Sequence, residues 1–88
     1  MRLLQAWDNS TREQDRELAA KRDALTKAES RVSELDLIIK RLYEDSFNGK
    51  LTDERFIKLS RDYEREQDEQ KAVIEATRRE LIGFMYLQ

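Results

Sequence analysis

The sequence contains no cysteine, no histidine and no proline, and only two glycines. Without cysteine there is no disulfide and no thiol nucleophile, and without either cysteine or histidine the usual zinc ligands are missing. The lack of histidine also removes the side chain that most often moves protons near neutral pH. No apolar run approaches the roughly 20 residues that span a bilayer. The opening MRLLQAWDNS lacks the apolar core of a signal peptide. A protein with no membrane contact, in a reducing cytoplasmic setting, is the expectation. There is no glycine-rich phosphate loop. Nor does one sign of charge prevail: 17 Lys and Arg stand against 19 Asp and Glu, a net charge of −2 that gives no reason to expect avid phosphate binding. No cofactor, metal or catalytic residue is assigned. Carboxylates abound, but they lie among basic neighbours with none of the burial that tunes an acid or base. Glu64, Glu66, Asp68 and Glu69 form an acidic patch without the loop geometry of a calcium site.

What remains is a chain of helix formers. With 88 residues, 41% charged and 39% apolar, it cannot build a thick globular core, and the composition is that of exposed helices or a coiled coil. The one Asn-Gly pair, Asn48-Gly49, divides two long stretches. Gly49 suits the left-handed residue just past a helix end, where a Cβ would clash. Thr52 followed by Asp53 and Glu54 reads as an N-cap with acidic residues in the first turn. One helix therefore stops near residue 47 and a second starts near 53, and the short connection makes them antiparallel neighbours.

The first helix carries a period of alternating threes and fours: Leu18, Lys21, Leu25, Ala28, Val32, Leu35, Ile39 and Leu42. That is the seam of a left-handed coiled coil. Ser10 followed by Glu13 reads as a capping box, which places the helix start near residue 11 and makes residues 1–10 a separate turn or frayed lead-in. Leu4 and Trp7 share the phase, but Asp8-Asn9-Ser10-Thr11 is poor helix material. On the second helix the seam is Phe56, Leu59, Tyr63, Gln67, Gln70, Ile74, Thr77 and Leu81, with consecutive fours around Tyr63 that amount to a stutter.

Folding back at Asn48-Gly49 pairs the two seams with index sums of 98 or 99 throughout, from Leu42 with Phe56, through Leu35 with Tyr63 and Val32 with Gln67, to Leu18 with Leu81. The expected fold is all-α: an antiparallel coiled-coil hairpin over 11–82, with helices 11–47 and 53–82, a turn at 48–52 and a tail at 83–88. Stability is expected to be greatest near the tip and weakest around Ala28 and Gln70. Acid–base pairs four apart, Glu17–Lys21, Asp23–Lys27, Asp36–Lys40, Glu54–Lys58 and Glu75–Arg79, lace the outer faces.

Several apolar residues fall off the seam: Leu37, Ile38, Tyr43, Phe47, Leu51, Ile57 and Val73. Tyr43, Phe47, Leu51 and Ile57 gather around the turn. Two readings stand side by side. Phe47 folds over the loop while Leu51 packs on the second helix, or these residues form a contact surface for another copy or a partner. Ile38 and Val73 offer a side-by-side face for a four-helix assembly, so a homo-oligomer is expected.

The run from Arg41 to Lys71 resembles a segment of the large serine recombinases, the transposase and integrase enzymes of mobile elements. The residues that carry the resemblance are Arg41-Leu42-Tyr43-Glu44-Asp45, Gly49-Lys50-Leu51-Thr52-Asp53-Glu54-Arg55-Phe56, Lys58-Leu59-Ser60 and Tyr63-Glu64-Arg65-Glu66-Gln67. Upstream, Glu17 to Asp36 looks like that family's first coiled-coil helix. The resemblance implies a coiled-coil arm of the carboxy-terminal DNA-binding region. Such an arm contacts other recombinase subunits and answers to a directionality factor, controlling synapsis, integration and excision. The family's catalytic serine domain and zinc-ligand cysteines are absent here, and Ile82 to Gln88 departs from the charged continuation expected. On this reading the chain is a non-catalytic fragment or relic that meets DNA only through flanking domains. Two other classes stay open: a free-standing structural or adaptor coiled coil, which a chain beginning with Met1 allows, and a hairpin that itself reaches nucleic acid.

Overall fold

The computed structural model describes the backbone of residues 2–87, and side chains from Arg12 onward except those of Met85 and Leu87. The described residues form two helices, α1 (Arg2–Phe47) and α2 (Asp53–Leu87). They pack on each other as an antiparallel hairpin of 72 × 17 × 14 Å. At 1.5 Å per residue the 46 residues of α1 measure about 69 Å, so this one helix accounts for the long axis. The other two dimensions leave room for two helices and no third layer.

The turn is built by backbone hydrogen bonds. Gly49 has φ +74°, the only positive φ among the described residues. With Gly49 in that conformation, its N–H donates to the Ser46 carbonyl at 3.1 Å and the Lys50 N–H donates to the Asp45 carbonyl at 2.9 Å. These are the paired bonds of a Schellman cap, which satisfy carbonyls that the end of α1 would otherwise leave open. On the other side of the turn, Thr52 Oγ1 accepts from the Arg55 N–H at 3.3 Å while its carbonyl starts the α2 ladder by accepting from Phe56 N–H. Thr52 is thus the N-cap, and Asp53 and Glu54 occupy the first turn, where the helix dipole favours negative charge.

Every seam position named from the periodicity is buried or half-buried. Among the described residues Leu35 is the one large side chain fully removed from solvent, at 0% exposure, and Ala28 is buried in the middle of the seam. The register is visible directly where the Gln67 side-chain amide donates to the Val32 carbonyl at 3.3 Å. Ser60 is also buried, one residue past Leu59. The stutter accounts for it: two successive spacings of four rotate α2 so that a position beside the heptad seam turns inward. The Ser60 hydroxyl donates to the Ile57 carbonyl at 3.2 Å.

A polar clamp crosses the middle of the hairpin. Arg31 grips Glu66 with two bonds, Nε to Oε2 at 2.5 Å and Nη2 to Oε1 at 2.9 Å, and its Nη1 donates to Glu34 at 3.2 Å. Gln67 adds a bond to Asp36 Oδ1 at 2.5 Å. The hydrogen bonds from Arg31 hold the Glu66 carboxyl below the usual carboxylate range, against a smaller opposing effect of desolvation. The same bonds to Glu66 raise the Arg31 guanidinium above its already high ordinary range. Bidentate geometry of this kind fixes orientation as well as adding attraction. Shifting the helices by one residue would separate both partners, so the clamp specifies register.

The helices are longer than the sequence predicted. α1 continues back through Ser10 to Arg2, where a lead-in over 1–10 and a helix start near 11 were expected. With no helix end at Ser10, there is nothing for its capping box to cap; the Ser10 side chain lies outside the described ones, as do those of Leu4 and Trp7. Weak helix formers cost at most about 0.7 kcal/mol each, which a helix already nucleated on both sides can absorb. At the other end α2 passes through Gly83 to Leu87, where a tail over 83–88 was expected. A mid-helix glycine costs only about 1 kcal/mol, and Phe84 folds back on the hairpin, its ring centroid 5.7 Å below the Lys21 ammonium.

Of the expected acid–base pairs four apart, Asp23–Lys27 forms at 3.0 Å and Glu75–Arg79 at 2.6 Å. Lys21 instead crosses to Glu80 at 2.5 Å, and Asp36 accepts from Gln67. Seam position 21 points its stem between the helices, so its ammonium emerges beside α2 rather than beside Glu17.

Candidate interaction surface at the hairpin tip

The tip is the end of the molecule farthest from both chain ends, and an apolar groove lies there among exposed polar residues. Tyr43 sits one turn before the end of α1 and packs its ring edge-on against Phe56, with centroids 5.0 Å apart and planes at 67°. Aromatic pairs favour this arrangement because the positive edge of one ring meets the negative face of the other. Tyr43 is 55% exposed even so, since Phe56 covers only one side of it. Phe47, the last residue of α1, is 91% exposed and does not fold over the loop. The Schellman cap aims the chain away from it, leaving the ring without a neighbour to lie on.

Here lies an open, shallow groove of about 510 Å³ lined by Tyr43, Phe47 and Phe56 together with Glu44, Ser46 and Asn48. Two of the tip residues singled out from the sequence, Tyr43 and Phe47, therefore meet in one surface, with Asn48 of the turn at its rim. Leu51 and Ile57 do not line it. Leu51 is half-buried in the turn and Ile57 is 48% exposed on α2. Phe56 belongs to the groove as well as to the seam. Sequence reading placed it only on the seam, yet an aromatic at the last seam position before a turn is the signal that it can serve both.

Beside the tip, Leu37 stands 69% exposed on α1 and Ile38 is half-buried; both border a second shallow groove of about 600 Å³, with Arg41 and Lys50 among its polar walls. Ile38 lies one heptad on from Arg31 and Val73 one heptad on from Glu66, so both stand on the flank where Arg31 and Glu66 meet. With Val32 opposite Gln67, Ile38 lies six residues towards the tip and Val73 six towards the open end, which puts about 18 Å of helix axis between them.

Among the described residues no cluster of His, Cys, Asp or Glu is arranged to hold a metal ion. Glu66, one of the acidic patch, is taken up by Arg31. No helix among the described residues is long and apolar enough to cross a membrane. Comparison with family models, with curated proteins and with solved structures returns no match to this chain.

Proposed function

We propose that this hairpin is the coiled-coil arm of a large serine recombinase, a non-catalytic projection whose tip makes subunit contacts that control synapsis and directionality in site-specific DNA recombination. What supports the reading is the resemblance carried by Arg41 to Lys71, which is the tip and the tip-side half of α2, together with one observation: Phe47 is 91% exposed at the far end of a 72 Å rod. A side chain that folding leaves bare at the point of greatest reach is placed for another molecule. The partner is another recombinase subunit or a directionality factor, and DNA is met through flanking domains.

The test uses Phe47→Asp with Leu51→Asp. Helicity is expected to stay near that of the parent, because neither side chain supports the seam. In a full-length recombinase carrying this segment, synapsis is expected to fall or directionality to shift, while binding of the flanking domains to the DNA site stays near normal. Recombination unchanged in both directions would reject the tip as the working surface. In the isolated chain, sedimentation equilibrium is expected to show weak self-association that the same pair of substitutions removes.

A further inference from the structure

Different forces hold the two halves of the hairpin. On the tip side of Val32 and Gln67 the seam is apolar throughout, with Leu35, Ile39 and Leu42 opposite Phe56, Leu59 and Tyr63. On the open side, Lys21, Ala28, Gln70 and Thr77 interrupt it. The ties there are charged: Lys21 to Glu80 at 2.5 Å, and Arg78 to Glu29 at 3.8 Å with both partners well exposed. Two open grooves, of about 520 and 410 Å³, reach between the helices in this half, one flanked by Val32 and Ile74, the other by Lys21 and Thr77.

Opening this half leaves no polar group stranded. The Thr77 hydroxyl is satisfied within its own helix, donating to the Val73 carbonyl at 2.7 Å, and Lys21 and Glu80 return to water. The loss includes the half-buried Leu18, Leu25, Ile74 and Leu81, the buried Ala28 and the Lys21–Phe84 contact. Opening beyond Val32 is a different matter. It would break both Arg31–Glu66 bonds and both bonds of the Gln67 amide, and then expose the all-apolar seam.

We propose that the open end of the hairpin is a salt-gated fork: α1 and α2 separate there as the Lys21–Glu80 and Glu29–Arg78 pairs are screened, and separation stops at the Arg31–Glu66–Gln67–Asp36 clamp. The fork spreads the two chain ends while the tip keeps its geometry. It stands independently of the arm reading, since it rests on the seam and the ion pairs alone. Screening is the lever, because the Debye length falls from about 30 Å at 0.01 M to about 3 Å at 1 M salt.

The chain has no cysteine, so spin labels can be placed without removing any. One labelled pair, Ala24→Cys with Ala76→Cys, reports the open half; the other, Lys40→Cys with Lys58→Cys, reports the tip half, and all four positions are exposed. Distances are measured by pulsed electron–electron resonance at about 0.01 M and about 1 M NaCl. The expected result is a longer-distance population for the first pair that grows with salt, while the second pair stays narrow. In Lys21→Met, which deletes the Lys21–Glu80 pair while its thioether can still rest on Phe84, the salt dependence of the first pair is expected to be largely lost. A first pair that is narrow at every salt overturns the fork, and so does joint broadening of both pairs, which means the hairpin opens as one unit. Salt-dependent broadening undiminished in Lys21→Met overturns the assignment to the ion pair.

Discussion

Replacing Leu35 with alanine tests the packing most directly, because among the described residues Leu35 is the one large side chain at 0% exposure. The substitution deletes the equivalent of three buried carbon groups, worth about 0.8 kcal/mol each on removal from water, or about 2.4 kcal/mol together. A cavity adds to this, but the hairpin is only two helices thick, so neighbours can move into the space more freely than in a globular core. The expected loss is about 2.5–3 kcal/mol. A chain of this size has a total stability of about 4–13 kcal/mol at ordinary values per residue. The melting midpoint should therefore fall by about 10–20 °C. Ile57→Ala is the control: at 48% exposure it deletes similar chemistry from a half-solvated site, and the better helix propensity of alanine offsets part of the loss. It should cost about 1 kcal/mol or less. Urea denaturation followed by far-ultraviolet circular dichroism, at one fixed protein concentration, measures both. Equal losses at the two positions, or a loss under about 1 kcal/mol at Leu35, would refute the assignment of the seam.

Two further outcomes follow from local features. Gly49→Ala should lower stability by about 1–2 kcal/mol in the same assay, purely through the left-handed backbone, because an added Cβ would meet nothing within 4 Å; a neutral result would mean that the Schellman cap does not hold the turn. Glu66 gives the hairpin a pH dependence of known sign. Its carboxyl is depressed in the folded chain below its ordinary value of 4.5, so its contribution is whole above that value and is lost as pH falls through the folded value. Arg31 stays charged throughout. Between about pH 5 and about pH 3 the wild-type chain should therefore lose more stability than Glu66→Gln, in urea midpoints measured side by side, and parallel losses would show that the clamp is not formed in solution.

The seam was legible because burial on a two-helix rod depends on little besides period. Leu35, Val32 and Gln67 stand where the spacings put them, and Gly49 and Thr52 do what their chemistry allows at the end of one helix and the start of the next. The ends were not legible. A capping box such as Ser10–Glu13 marks a helix start only if the helix has to start there, and a glycine such as Gly83 ends a helix only if nothing beyond it packs. Both decisions belong to neighbours in space, as the Phe84 contact with Lys21 illustrates. The clamp was missed for a related reason. Arg31 and Glu66 are far apart in sequence, and pairing charges four residues apart cannot find them. Yet each immediately precedes a member of the Val32–Gln67 pair, so once the register is known, the two flanking positions could have been tested for opposite charge.

The candidate site was legible only in part, and the reason bears on what the tip is for. Tyr43 and Phe47 were singled out because they fall off the seam, a criterion that also selects Leu51 and Ile57, which point elsewhere. Phe56 was placed on the seam, yet it also lines the groove. Phe47 contributes nothing to the fold: it is past the last seam pair, the cap is made by backbone groups of Ser46 and Gly49, and no described side chain covers it. Burying a phenylalanine side chain is worth about 1.5–3 kcal/mol, a gain the monomer does not take. A second molecule laid on the tip would take it, with Tyr43 and Phe56 already packed edge to face beside it. Stability measurements on Phe47→Asp should therefore show almost no change, while any assay of association through the tip should show a large one.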